Sequence, residues 1–282
     1  MQTQWPERNL VGNAFGPDEP SFDDLTAPSE VYHEASKLRL SDRPLYAWIA
    51  HVNTSPEVRQ TISRPLTHLR GAPAVELPRA ALPTDRSLQS IMEGRRSGRD
   101  TSGVPLSLEA LGNLLYLGDG IVVRMDMGGG ATWGLRTAPS GGGLYPIELY
   151  CIVLNALGVA PGVYLYAPST NRLECVRAGD ITEELVDAVP AQAEMVRSTG
   201  ACIVMSAVMP RIKFKYGERG YRFALLEAGH IAQNLLLAAE AQGLSAVAIG
   251  GFMDDPLNHM LGLDGVDEAA LYAVMVGSPS PT

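Results

Sequence analysis

The segment YRFALLEAGHIAQNLLLAAEAQ, residues 221–242, constrains the fold more than any other stretch of the chain. Its spacing is helical, and Gly243 follows as a residue suited to the turn that ends a helix. The apolar side chains, from Phe223, Ala224, Leu225 and Leu226 through Ala228 and Ile231 to Leu235, Leu236, Leu237 and Ala238, leave no broad polar face. A surface helix carries one apolar stripe. A helix apolar on nearly all sides is enclosed by a large core or by a second subunit. In a chain of 282 residues we expect a subunit interface. His230, on this helix, is expected to be a hydrogen-bonded core residue.

Strands and helices alternate around this segment without a strict βαβ repeat. Apolar, β-branched and aromatic runs predict strands at 148–154, 162–167, 171–176, 201–208, 245–249 and 270–277. Helices are expected at SLQSIMEGRRSG, at residues 108–118 behind an N-cap at Ser107, and near DDPLNHMLG. Glycine-rich loops flank TWGLRTAPS. The pattern predicts an α+β fold with a central sheet rather than a doubly wound one. Residues 1–84 are rich in Pro, Ser, Thr and Asp, with short amphipathic pieces such as SEVYHEASKL and PLYAWIAHV. They read as an N-terminal extension that packs on the core without having one of its own, and residues 85–282 as the folded domain.

The formal net charge of −9 argues against a broad nucleic-acid surface, which needs clustered Lys and Arg, yet leaves room for a local anion site. The N-terminus shows no apolar signal region, and no apolar run is long enough to span a bilayer, so the expected compartment is the cytoplasm. Cys151, Cys175 and Cys202 are scattered, two of them in strand-like runs, and are expected to be reduced. The Asn53-Thr54-Ser55 sequon reads as incidental. His33, His51, His68 and His259 have no partners at ligand spacing, so no metal site is expected. Ser140 lacks a hydrolase elbow, and no dinucleotide-binding or Walker glycine loop occurs.

Four short stretches have residue types that could carry chemistry. GRRSGR, residues 94–99, offers three guanidinium groups whose planar forks match a phosphate, or else a solvated basic helix end. RTAPSGGGLYPIELY, residues 136–150, offers a backbone that a ligand can approach closely, or else a flexible loop. AIGGF, residues 248–252, ends a strand with two glycines, which can face a planar ring or form a tight turn. FKYGERGYR, residues 214–222, sets Lys215 beside Tyr216. On a strand the two would point apart; in a loop both could face a pocket, where partial desolvation would lower the lysine pKa. The alternative is an exposed cationic loop with Tyr216 packed.

The order of these stretches is more specific than any one of them. R-R-S-x-R is followed by R-x-A-P-S-x-G-x-L-Y-P-x-E-L-Y. Then come K-Y-G-E-R-G-Y-R with L-L-E-A-G-H-x-A-Q-N, I-G-G-F and a terminal V-G-S-P. Over about residues 85–279 this series resembles SagB-type dehydrogenases of the nitroreductase-like flavoprotein superfamily, and YHEASKL (32–38) resembles a segment upstream in such proteins.

The resemblance implies an FMN-binding α+β fold with a mixed or antiparallel central sheet flanked by helices, working as an intertwined homodimer with flavin at the interface. It implies that Arg95, Arg96, Ser97 and Arg99 hold the phosphate and ribityl chain. Pro139, Ser140 and Gly141 would line the isoalloxazine ring, and Gly250 and Gly251 would approach its N5 edge. Lys215 and Tyr216 match the catalytic Lys-Tyr pair of azoline-oxidising members. The implied reaction is oxidation of thiazoline or oxazoline rings to thiazoles or oxazoles in a ribosomal or carrier-bound peptide, with O2 reoxidising the flavin. A cyclodehydratase or synthetase partner would present the substrate. Two other functions are consistent with the same stretches: an NAD(P)H-dependent nitro- or quinone reductase, and a flavin-stabilised scaffold subunit of a biosynthetic complex.

Overall fold

The computed structural model describes residues 28–55, 57–58, 69, 71–82, 85–128 and 131–280. The chain divides into two compact units, Met1–Lys37 and Leu38–Thr282. The described part of the first contains helix α1, Pro28–Ala35. The second contains all the other elements.

Its centre is a seven-stranded sheet in the order β1-β6-β5-β4-β7-β9-β8, in which every neighbouring pair is antiparallel. The strands are β1 (Ala74–Glu76), β4 (Ile147–Val153), β5 (Gly162–Ala167), β6 (Arg172–Ala178), β7 (Ala201–Val208), β8 (Ser245–Ile249) and β9 (Glu268–Gly277). The six expected strands are all present, within two residues at each end. Central strands β4 and β7 are buried on both faces, which is why they read as near-continuous apolar runs. Their alternation still sorts the core. Ile203, Met205 and Ala207 join Ile147 and Leu149 in one cluster, while Cys202 and Val204 join Tyr150 and Ile152 in the other.

Helices α4 (Leu108–Asp119) and α8 (Arg219–Ala241) cover the first face. The Ser107 side chain caps α4 by accepting a hydrogen bond from the Ala110 amide at 3.0 Å, as its position before the apolar run predicts. Helices α5 (Thr182–Ala188), α6 (Ala193–Ser198) and α9 (Asp254–Leu261) supply residues of the second cluster. Two further helices, α2 (Arg43–Thr54) and α3 (Leu88–Gly94), lie on either side of β1 in the chain, and α7 (Met209–Tyr216) links β7 to α8.

Several elements were not expected from the sequence, a hairpin among them. Strands β2 (Ile121–Gly128) and β3 (Ala131–Arg136) form a separate hairpin. Val122, Val123 and Met125 of β2 are exposed, so this strand lacks the inside-outside alternation that marks a core strand. Helix α8, expected at a subunit interface, leaves a stripe of Leu225, Leu226, Gly229, His230 and Gln233 exposed within the single chain. His230 is therefore a surface residue of the single chain, not the hydrogen-bonded core residue expected. No helix among the described residues is long and apolar enough to cross a membrane. Cys151, Cys175 and Cys202 are free thiols, the first and last buried.

Candidate active site

Lys215 and Tyr216 occupy the last turn of α7, which begins with Met209-Pro210 and ends at Gly217, where φ is +54°. Proline in a first turn forfeits no intrahelical hydrogen bond, so Pro210 favours this start. The pair thus lies on a helix, neither the strand nor the loop considered from sequence. Successive helical side chains diverge by about 100°, which still lets both reach one neighbour. That neighbour is Gly142: a Cβ built there would stand 2.5 Å from the Tyr216 hydroxyl and 2.7 Å from Lys215 Nζ. A side chain there would have to displace the ends of both side chains, and the φ of +66° at this position also favours glycine.

Lys215 is 3% exposed. Its Nζ lies 5.1 Å from the Tyr216 ring centroid and donates to Asn53 Oδ1 of α2 at 2.8 Å. Burial pulls the lysine pKa down and pushes that of the Tyr216 phenol up, so desolvation favours the neutral form of both. Tyr216 meets Phe223 of α8 edge to face at 4.9 Å, and a Cβ on Gly141 would meet the same phenylalanine at 3.2 Å.

The glycine loop is held from beneath. Ser140 Oγ accepts from the Tyr145 amide at 2.8 Å, and Trp133 Nε1 donates to the Gly143 carbonyl at 3.0 Å. Tyr145 has φ +48°, an uncommon conformation for a non-glycine residue. Three contacts secure it: its hydroxyl accepts from the Arg136 amide at 3.1 Å, its carbonyl accepts from Arg211 at 2.7 Å, and the Arg136 guanidinium lies 4.8 Å from its ring centroid. Arg136 pairs with buried Asp119, and Arg211 with Glu148 at 2.6 Å. Burial pushes Asp119 up to about 6 against the opposing pull of Arg136. Glu227 of α8 is 2% exposed, and neither carboxyl oxygen makes a well-formed hydrogen bond. Burial drives its pKa up to about 8; the nearby Ser140 hydroxyl only tempers the rise. Arg136 and Tyr145 fall inside the motif read from sequence, but nothing there marked them as the support of the loop. Glu227 was legible only as part of L-L-E-A-G-H.

The arginine segment lies elsewhere. It leaves α3 and runs past the start of β8, where the Gly98 amide donates to Ala246 O at 2.9 Å. A Cβ on Gly98 would collide with Ser245. Arg96 and Arg99 are exposed and Arg95 half-buried; none of them pairs with a carboxylate among the described residues. Ser97 is exposed between them. At the far end of β8, Gly250 and Gly251 are exposed, and a Cβ on Gly250 would touch the Tyr272 ring at 3.5 Å. Pro139 is exposed as well, and Ser140 and Gly141 are half-buried.

The structure therefore joins the Pro139–Gly143 loop to Lys215 and Tyr216, but keeps the arginine segment apart from them. Gly141 packs on Phe223 near one end of α8. Gly94 and Arg86 pack on Glu240 near the other, with an Arg86–Glu240 ion pair of 2.8 Å. Phe223 and Glu240 are seventeen positions apart, about 25 Å along a helix axis. Among the described residues, no group of three His, Cys, Asp or Glu side chains is placed to hold a metal ion.

Sheet, flanking helices and glycine loop together define an α+β fold whose Lys-Tyr pair faces the bare backbone of the loop. The model of the Nitroreductase family matches residues 92–278, and the chain belongs to that family. MJ1384 of Methanocaldococcus jannaschii, named as a nitroreductase, is 31% identical over 174 residues, covering 62% of this chain and 83% of the relative. The microcin B17-processing protein McbC of Escherichia coli is 30% identical over 146 residues. That match covers 50% of this chain and 54% of McbC, so the chain spans about half the length of this relative. Among solved structures, the E. coli microcin synthetase McbBCD complex with truncated pro-MccB17 bound contains a chain similar at a TM-score of 0.57 and 25% identity. This likeness covers 87% of this chain and 99% of that one.

Proposed function

We propose that this chain is an FMN-dependent dehydrogenase of the SagB type that oxidises thiazoline or oxazoline rings of a peptide to thiazoles or oxazoles, acting as a homodimer. The observation that carries the reading is the pairing of a buried, hydrogen-bonded Lys215 with Tyr216 against the bare backbone of Gly142. The likeness to McbC and to a chain of the microcin synthetase supports a peptide substrate and a synthetase partner.

The residues present fit FMN. Arg95, Arg96 and Arg99, unpaired with carboxylates among the described residues, suit a phosphate, with Ser97 between them as a further donor. The Pro139–Gly141 backbone and the Gly250-Gly251 pair present surfaces that a flat ring can approach. When bound, FMN supplies the hydride acceptor and passes the electrons on to O2. A site completed by a second copy accounts for the arginine segment and the Lys-Tyr pair lying towards opposite ends of α8. The exposed stripe containing Leu225 and Leu226 gives the second copy a surface on which to pack.

Lys215 acts as the base. Desolvation lowers its pKa and so favours the neutral amine, the form that can take the proton from the ring carbon next to the carbonyl. Burial disfavours a Tyr216 phenolate, so Tyr216 serves as a neutral phenol that orients the ring. Aromaticity of the product drives the reaction forward.

The test is azoline oxidation by the flavin-loaded protein with Lys215→Ala and Tyr216→Phe. We expect Lys215→Ala to lose about 10²–10⁴-fold in rate, the usual contribution of a positioned base, while retaining flavin. Oxidation at the wild-type rate by both variants overturns the assignment. A second reading, an NAD(P)H-dependent nitro- or quinone reductase, is favoured by the likeness to MJ1384. Rapid bleaching of bound flavin by NADPH, with no azoline oxidation, would select it.

A further inference from the structure

We propose that Asn53 of helix α2 is a positioning residue for the reaction: its side-chain oxygen fixes the Lys215 amine against Gly142 and Tyr216. The inference rests on the reading of Lys215 as the base and deepens it. It also gives a segment upstream of the family match, residues 43–54, a part in the site.

Two hydrogen bonds tie α2 to α7. Trp48 Nε1 donates to the Phe214 carbonyl at 2.6 Å, anchoring α2 to the residue just before the lysine. Asn53 Oδ1, five positions further on, accepts from Lys215 Nζ at 2.8 Å. Among the described residues this is the only side-chain acceptor for that nitrogen. The Gly142 backbone and the Tyr216 ring bound the amine on other sides. Charged groups on the adjoining elements are engaged elsewhere. On α7, Lys213 pairs with Glu218 at 2.9 Å and Arg211 with Glu148 at 2.6 Å. On α8, Arg219 lies 6.0 Å from the Phe223 ring centroid and Glu227 is next to Ser140; on α2, the His51 ring lies against Trp48 at 5.5 Å.

A neutral amide suits this task. It orients the amine through one hydrogen bond, yet it does not lock the proton on as a carboxylate would. A base must release its proton after each turnover, and an aspartate at this position would favour the charged form of Lys215.

The chain has three lysines, Lys37, Lys213 and Lys215, so lysine labelled with 13C at Cε yields few enough signals to follow individually. Lys215→Arg identifies the signal of Lys215. Asn53→Asp is expected to raise the titration midpoint of Lys215 by about one pH unit or more. Asn53→Ala, which removes the acceptor, is expected to lower it. The acid limb of the azoline-oxidation profile should move in the same two directions. A helix that matters only for stability would leave the midpoint alone, so equal midpoints in all three proteins, or shifts of the same sign, overturn the proposal. Because Asn53 is exposed on an outer helix, Asn53→Gln provides a third variant should the alanine form not fold; its midpoint should stay near that of wild type, and a rise like that of the aspartate variant would count against the proposal. The lysine titration needs neither flavin nor substrate. Opposite midpoint shifts without azoline oxidation would remove the functional reading and leave Asn53 in place. Azoline oxidation with an unmoved midpoint would do the reverse.

Discussion

Gly142 and Tyr216 stand so close that a methyl group on the glycine would lie 2.5 Å from the phenol oxygen. Gly142→Ala must therefore push the Tyr216 hydroxyl and the Lys215 amine from their places or shift the loop, and must also accept a φ of +66°. The strained backbone alone costs about 1 kcal/mol or more. We expect a lower unfolding midpoint in urea and at least about a tenfold fall in azoline oxidation, the size of effect that misplacing a reacting group produces. An alanine variant with unchanged stability and rate would show that the loop and the pair are not coupled.

Glu227 gives stability a pH dependence whose sign is fixed. Its folded-state pKa, about 8, is above the ordinary value of 4.5, so the folded chain keeps a proton that the unfolded chain releases. The contribution is fully present below about pH 4.5 and is lost as pH rises through about 8. Asp119, raised to about 6, acts in the same direction over the lower part of the window. Across that window the loss from Glu227 is on the order of a few kcal/mol. Urea unfolding of Glu227→Gln at pH 5 and pH 9 should show a flatter dependence than wild type. An equally steep slope would mean that another group is responsible.

The arginine segment predicts how flavin affinity responds to charge. A charge-assisted hydrogen bond is worth about 1.5–3 kcal/mol, so Arg96→Ala and Arg99→Ala should each weaken FMN binding by about tenfold or more. Flavin fluorescence quenching, titrated at low and high salt, measures this. Unaltered affinity in both variants would place the phosphate elsewhere.

Leu226 is 59% exposed on the open stripe of α8. Leu226→Glu puts a charge where the proposed second copy packs, and should give a monomer by light scattering that no longer retains FMN. A flavin-binding dimer from this variant would exclude the stripe as the contact.

Most of the fold was legible because its strands are long, apolar and bounded by turns. Strands β4 and β7 are recognisable from ELYCIVL and ACIVMSAV alone. Helix α7 was not, since MPRIKFKY is eight residues long and half of it is polar or charged; its proline reads equally well as a breaker. The Lys215-Tyr216 pair stood out through the order of motifs, but its partner Asn53 did not. The two are 162 positions apart, and Asn53 sat in a sequon that invited a different reading. Tyr145 was hidden for a related reason: its backbone conformation depends on Arg136 and Arg211, and no local pattern encodes that dependence.

Helix α8 also acts as a gauge. Deleting a single residue between Phe223 and Glu240 would bring the two ends 1.5 Å closer and turn one of them by about 100° against the other. The glycine loop and the arginine segment would then fall out of step, even with each intact. The middle of this helix can exchange side chains far more freely than it can change length.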